Sequence, residues 1–166
     1  MPQTQDLAST RLADQLERSF RGGAWHGPAL MEVLAGVDAA GARWHPEPAS
    51  HSIADIVGHL TYWLEDTWRQ LLGESRPQGE SGSDWGQPGL DSEAAWESVC
   101  AALEVAHVRL RAEVLRLTET RLDEARPGSD TTIRGLLIGT LQHNAYHAGQ
   151  IALLRKLAEA AAGRRP

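Results

Sequence analysis

Apolar residues recur every three or four positions through most of this chain, which is the period of amphipathic α-helices. The pattern predicts long helices over residues 7–20, 53–72, 92–117 and 133–162, and a short helix over 29–34. No stretch alternates apolar and polar residues with a period of two, so no β-strand is predicted. The chain is therefore predicted to be all-α.

Residues that cap or end helices support these boundaries. Ser52 and Asp55 resemble a capping box at the start of the second long helix, and Asp91 is expected to cap the third. Gly73 is expected to end the second helix, and residues 74–89 are rich in Gly, Ser and Pro. We predict a long loop over 74–89, with Trp85 in its middle and a role in shaping a pocket.

A four-helix bundle is the simplest arrangement that buries these apolar stripes, here with a short additional N-terminal helix. The chain has 166 residues, of which 42% are hydrophobic. That length suits a single domain over residues 1–166 and is enough to bury a core without disulfide bonds.

Charge and cysteine usage narrow the partners that we expect. The net charge of −6 and the pI near 5.6 argue against nucleic-acid binding, which depends on Lys and Arg at phosphates. No apolar run is long enough to span a membrane, and the first residues carry no apolar signal segment. Cys100 is the single cysteine, which fits a reducing compartment. We expect a cytoplasmic protein that binds neither nucleic acid nor membrane.

Two histidines in the last predicted helix are the most informative chemical feature. His143 and His147 are four residues apart, so they lie one above the other, on the face that should point into the bundle. His59 flanks the apolar stripe of the second long helix. If these helices pack side by side, three imidazoles converge and leave a coordination position open, as in catalytic metal sites. Imidazole ligands favour Zn, Ni, Cu or Fe over Mg or Ca. We expect a divalent transition metal (Zn, Ni, Fe or Mn), whose identity the sequence leaves open.

The alternative is that each of these rings hydrogen-bonds a neighbour and binds no metal. Three neutral imidazoles in one core are costly unless something satisfies their nitrogens, which favours the metal hypothesis. We interpret His45, His51 and His107 as solvated, and Cys100 as a small buried hydrophobic residue. Asp55 could orient His59, but helix capping is its expected role.

Several other residues are candidates for lining a pocket near the histidines. Their side chains are aromatic or polar, and three of them neighbour the pair in the last helix, where they could support the ligands. These candidates are Trp25, His26, Trp85, Asn144, Tyr146 and Gln150. The sequence identifies no catalytic base.

Two motifs and a turn resemble those of the DinB/YfiT-like proteins. Residues 52–60 (SIADIVGHL) resemble the second-helix motif of that family, and residues 142–151 (QHNAYHAGQI) look like its last-helix motif. The turn over residues 22–28 (GGAWHGP) is also similar, and the likeness extends from about residue 7 to 156. The resemblance implies a four-helix bundle, a divalent metal held by His59, His143 and His147, and a homodimer formed by helix packing.

The resemblance also implies a choice of activities on small-molecule substrates. Some members of the family are described as thiol S-transferases that use bacillithiol or mycothiol, a related group isomerises maleylpyruvate with a thiol, and others are assigned as hydrolases. Our first hypothesis is a metal-dependent thiol S-transferase that joins a low-molecular-weight thiol to an electrophile. The alternatives are a metal-dependent hydrolase, with Tyr146 or His26 as proton donor, and a non-catalytic metal-binding bundle associated with stress.

Overall fold

The structure is a computed structural model that describes residues 7–48, 50–74, 84–86, 89–126 and 128–163. Its described residues form seven helices and no strand, apart from one isolated antiparallel bridge between Ala125 and Thr132. In chain order the helices are α1 (Leu7–Arg21), α2 (Leu30–Leu34), α3 (Ala39–Arg43), α4 (Ile53–Leu71), α5 (Glu93–Val114), α6 (Glu119–Asp123) and α7 (Ile133–Ala162).

The four long helices pack as a bundle, which confirms the predicted all-α fold and its N-terminal helix. Helix α4 packs against α5 and α7, and α1 packs against the same two helices from the other side. Apolar stripes from all four meet in one core, and the largest fully buried side chains include Leu16, Phe20, Leu60, Leu64, Leu103, Leu110, Leu137 and Ile151. Because α4 and α7 are neighbours, the histidines on these two helices are brought together.

Short helices account for most differences from the predicted boundaries. The third long helix ends at Val114 rather than at residue 117, and α3 and α6, each of five residues, were not predicted. Such short helices bury too few residues to leave a clear period in the sequence. Of the predicted loop over 74–89, residues 75–83 and 87–88 lie outside the described residues.

The start of α4 is a capping box, as predicted. The Ser52 hydroxyl accepts a hydrogen bond from the Asp55 backbone N–H at 3.1 Å, and the Asp55 carboxylate accepts one from the Ser52 backbone N–H at 2.9 Å. Asp55 therefore caps the helix. The cap of α5 is Ser92 rather than Asp91, because the Ser92 hydroxyl is the group that accepts from Ala95 N–H.

His107 is not solvated, and our interpretation of it as a surface residue was wrong. It is 1% exposed on α5, stacks on the Phe20 ring and contacts the Glu17 carboxylate. Cys100 is half-buried and packs against the core. Within the described residues, no helix combines the length and the apolar character needed to cross a membrane.

Candidate metal centre

Three histidine rings from two neighbouring helices point at one another. His59 comes from α4, and His143 and His147 lie one turn apart on α7. The Nε2 atom of His143 is 3.0 Å from Nε2 of His59 and 3.1 Å from Nε2 of His147. One potential ligand atom of each ring lies within 4.8 Å of the other two, and no other such group of three was found in the described part of the chain.

The outer nitrogens of two of these rings are held by oxygen atoms. His59 Nδ1 lies 3.1 Å from the Asp84 main-chain carbonyl and 3.5 Å from its carboxylate. His147 Nδ1 lies 2.6 Å from the side-chain carbonyl of Gln150. Because a carbonyl oxygen only accepts, each Nδ1 carries the hydrogen, and each Nε2 presents a lone pair to the centre of the cluster.

This arrangement of lone pairs fits a bound cation. His143 Nε2 could donate at most one hydrogen, yet it faces the lone pairs of both His59 and His147. A single metal ion would accept all three. In tetrahedral zinc sites with Zn–N bonds of about 2.0–2.1 Å, ligand nitrogens are separated by about 3.3 Å, which is close to the separations from His143. The three residues are therefore suited to hold a divalent metal.

The charge state of the rings also suits metal binding. Burial, with smaller contributions from the two neighbouring imidazoles, lowers the pKa of His143 to about 4. Burial is also the largest cause of the lowered pKa values of His59 and His147. All three rings are neutral at neutral pH, which is the form that coordinates metals.

Trp85, one of the predicted pocket candidates, covers one side of the cluster. Its ring stacks on His59, with the centroids 3.9 Å apart and the planes 9° apart. His51 also stacks on Trp85, with the ring centroids 3.6 Å apart. His51 is exposed, as predicted, whereas its stacking on Trp85 was not predicted. Together the two rings shield His59 from solvent.

The other predicted pocket residues divide into three groups. Gln150 supports His147, and its amide nitrogen donates to the Tyr146 hydroxyl at 3.0 Å, so both are next to the cluster. Asn144 is buried, and its side-chain amide has no hydrogen-bond partner among the described atoms. Trp25 and His26 are exposed in the turn between α1 and α2, and neither lines the cavity beside the histidines.

A cavity of about 470 Å³ opens beside the cluster, between α4 and α7. His59, Trp63 and Thr67 line it from α4, at spacings of four residues. Gly135, Gly139 and His143 line it from α7 at the same spacing. Such a volume is typical of sites for small molecules.

Sequence reasoning missed several residues of this site. Asp84 precedes Trp85 in the long loop, and nothing local in the sequence indicates that it meets His59, which is 25 residues earlier. Arg126, at the other end of the cavity, was not among the predicted site residues. The glycines gave a signal that could have been used, because Gly135 and Gly139 continue the four-residue spacing of His143 and His147.

A family model described as the DinB superfamily matches residues 24–151. The match covers most of the chain and includes all three histidines, so the chain belongs to the DinB superfamily. The comparisons with curated proteins and with solved structures found no match.

Proposed function

We propose that this protein is a metal-dependent transferase that joins a low-molecular-weight thiol to an electrophilic small molecule. The convergence of the Nε2 atoms of His59, His143 and His147 is the observation that carries the proposal. A divalent metal at this position would lower the pKa of a co-substrate thiol, ordinarily about 8.5, and so raise its nucleophilic fraction at neutral pH.

The protein's own residues hold and shield this centre. Gln150 and Asp84 keep two of the rings oriented, because each presents an oxygen to an Nδ1 hydrogen. Trp85 and His51 cover one side, and the cavity between α4 and α7 leaves room for a small molecule on another. The substrates would therefore approach the histidines along the cavity.

The reacting thiol must come from a second molecule. The single cysteine, Cys100, is on α5, which does not carry any of the three histidines. Burial, with smaller effects from Glu104 and Glu93, raises the pKa of its thiol to about 11. At neutral pH this thiol is protonated and a poor nucleophile.

Thiol consumption tests the proposal. Metal-loaded protein is mixed with chlorodinitrobenzene or monobromobimane and with cysteine, glutathione, bacillithiol or mycothiol. We expect at least one pair to react faster than without protein, and the acceleration to be lost in the His143→Ala variant. The proposal is wrong if metal-loaded protein accelerates none of these reactions.

A hydrolase is the second candidate, and one observation favours it. The Asp84 carboxylate lines the cavity beside His59, where it accepts from Trp63 Nε1 at 3.2 Å. A carboxylate at this position could act as a general base toward water. Hydrolysis of nitrophenyl esters without any thiol, lost in the Asp84→Asn variant, would support this candidate. Turnover that requires a thiol would instead support the transferase.

We also propose that the protein forms a homodimer through α7. Ile138, Tyr146, Leu153 and Leu157 are exposed, and their positions place them within about 100° of one another around the helix. In analytical ultracentrifugation we expect a dimer for the parent and for the Val105→Glu control, whose site is an exposed position on α5. The Leu153→Glu variant should be a monomer. A monomeric parent would contradict the proposal.

A further inference from the structure

The cavity beside the three histidines has a second chemical feature at its other end. Arg126 and Thr131, from the segment that joins α6 to α7, line the cavity together with Gly135 at the start of α7. Gly135 and His143 are eight residues apart on one helix, so on the order of 12 Å of helix separates the two ends. The cavity is thus an elongated groove with histidines at one end and a guanidinium at the other.

The guanidinium of Arg126 is held in place but not neutralised. Its Nη1 donates to the Gln70 side-chain carbonyl at 2.7 Å, and the Gln70 amide nitrogen donates to Asp66 at 2.6 Å. Its Nε is buried without a hydrogen-bond partner, and no carboxylate of the described residues forms an ion pair with it. The guanidinium therefore has no counter-ion among the described residues.

The backbone fixes this arginine at the end of the groove. The Arg126 N–H donates to the Thr131 carbonyl at 3.0 Å, and Ile133 N–H donates to the Glu124 carbonyl at 3.0 Å. These two hydrogen bonds flank the bridge between Ala125 and Thr132. The segment that carries Arg126 is thereby tied to the first turn of α7.

Glycine at position 139 keeps the middle of the groove open. A Cβ atom at Gly135 would come within 3.2 Å of the Thr131 side chain, so close packing accounts for that glycine. A Cβ atom at Gly139 would meet nothing within 4 Å, although the residue lines the cavity. Glycine inside a helix is destabilising relative to alanine. At Gly139, the space that a side chain would occupy is part of the groove and is not filled by a neighbouring residue.

We propose that Arg126 binds a carboxylate of the small molecule that occupies this groove, while the other end of that molecule reaches the histidines. A guanidinium pairs with carboxylates through two parallel hydrogen bonds. Arg126 is the one arginine or lysine among the residues found to line the cavity. The one carboxylate among them, Asp84, lies beside His59 at the histidine end, so an anionic group is favoured at the Arg126 end. The identity of the molecule's reactive end rests on the proposed function, whereas the carboxylate subsite does not.

Calorimetry on chelator-treated protein tests the subsite without any metal. Octanoate and octanamide share a chain length and differ in charge. We expect octanoate to bind at least about tenfold tighter to the parent and to an Arg116→Gln control, whose site is a surface arginine paired with Glu113. In the Arg126→Gln variant this preference should disappear while octanamide affinity stays unchanged. A parent without the preference, or an Arg126→Gln variant that keeps it, would overturn the proposal.

A second pair of variants tests the position of the ligand and does not disturb Arg126. Gly139→Leu should fill the groove and weaken both octanoate and octanamide by about tenfold or more. Gly149→Leu is the matched control, because it makes the same change at an exposed helical glycine with open space around it. Equal binding by both variants would place the ligand elsewhere and overturn the proposal.

Thiol-bearing carboxylates separate failure of the subsite from failure of the proposed function. Zinc-loaded protein is titrated with ω-mercaptocarboxylates of increasing length and with the corresponding mercaptoalcohols. We expect the advantage of the carboxylate to peak at one chain length and to be lost in Arg126→Gln. If octanoate binding depends on Arg126 but the thiol adds no affinity, the subsite stands and the thiol chemistry fails. If thiols bind but carboxylates have no advantage at any length, the subsite is wrong and the thiol chemistry stands.

Discussion

Buried histidines occur in two regions of this molecule, and their surroundings differ. Between α4 and α7, three rings turn their Nε2 atoms toward one another, and oxygen acceptors hold the outer nitrogens of two of them. Between α1 and α5, His107 lies face to face with Phe20, with centroids 3.8 Å apart, and its Nε2 lies 3.1 Å from the Glu17 carboxylate.

The difference shows that burial alone does not make a histidine a metal ligand. Burial is the largest cause of the lowered pKa in both regions, so neither pKa shifts nor exposure separates them. The direction of the imidazole lone pairs distinguishes the two regions. The Glu17 carboxylate accepts the hydrogen of His107 Nε2, and no group of three potential ligands in the described part of the chain includes His107. The cluster instead directs its lone pairs to a common point.

The largest expected effect is the loss of metal affinity in the cluster. We predict that His59→Ala, His143→Ala and His147→Ala each lower zinc affinity by more than about 100-fold, because each removes one of three ligands. Competition with a chromophoric chelator measures this affinity. His107→Ala is the control and should bind zinc as the parent does. An equal loss in His107→Ala would break the distinction between the two regions.

Removal of the His107 ring should instead lower the stability of the fold. We predict that His107→Ala reduces the free energy of unfolding by about 2–3 kcal/mol, since it leaves a cavity beside Phe20 and ends the contact with Glu17. Urea denaturation of metal-free protein measures the change. An unchanged free energy of unfolding would mean that the stacked ring contributes nothing to the bundle.

The acceptors around the cluster should have smaller effects on metal affinity. We predict a loss of about tenfold in Gln150→Ala, because His147 Nδ1 loses its 2.6 Å partner. Asp84→Ala should lose less, because the main-chain carbonyl of Asp84 still accepts from His59. The same chelator competition ranks the two variants. A larger loss in Asp84→Ala would show that the carboxylate, rather than the carbonyl, orients His59.

The smallest expected effect is on the pH dependence of stability. Burial holds the pKa of His107 below 6.5, although Glu17 opposes this shift and Arg21 and Arg111 add to it. The unfolded chain therefore takes up a proton at a higher pH than the folded protein does. The contribution of His107 to the free energy of unfolding is present above about pH 6.5 and is lost as the pH falls toward the pKa of His107 in the folded protein.

The variant His107→Phe isolates this contribution. Between about pH 7 and pH 5 we expect its stability to fall less steeply than that of the parent, because the cluster histidines contribute equally in both. In the parent, the hydrogen bond to His107 lowers the pKa of Glu17 and keeps it ionised in this range. The variant lacks that hydrogen bond, so the upper half of the pH range gives the cleaner comparison. Parallel pH profiles for parent and variant would contradict the assignment of a lowered pKa to His107.

Features fixed by local helix geometry were predictable from the sequence. The four-residue spacing of His143 and His147 requires a shared helix face, and Gln150 lies one turn beyond His147. The apolar periods of the four long helices are equally local, and the bundle follows from burying them. The cluster of three histidines was predictable because the apolar spacing of each helix identifies its buried face, and the histidines lie on or beside that face.

Contacts between distant segments account for most of what was missed. The approach of Asp84 to His59, and of Arg126 to the groove, depends on how the loops fold back against the bundle. The spacing of apolar residues in the helices carries no information about these loop conformations. His107 is a different case, because Leu103, His107, Leu110 and Val114 follow the spacing of one buried stripe. Arg109, two residues on, lies about 200° around the helix from His107, so a charge there does not place the histidine at the surface. Arg111 does share the face of His107, but it pairs with Glu17, the carboxylate that also contacts His107.

Elemental analysis of metal per chain tests the central claim most directly. The parent, a His59→Ala, His147→Ala double variant and His107→Ala are purified without a tag, offered Zn, Ni, Mn and Fe in turn, and freed of unbound ion. We expect close to one divalent metal per chain in the parent and in His107→Ala, and none in the double variant. A parent that retains no metal under any of these conditions would contradict the assignment of this cluster as a metal centre.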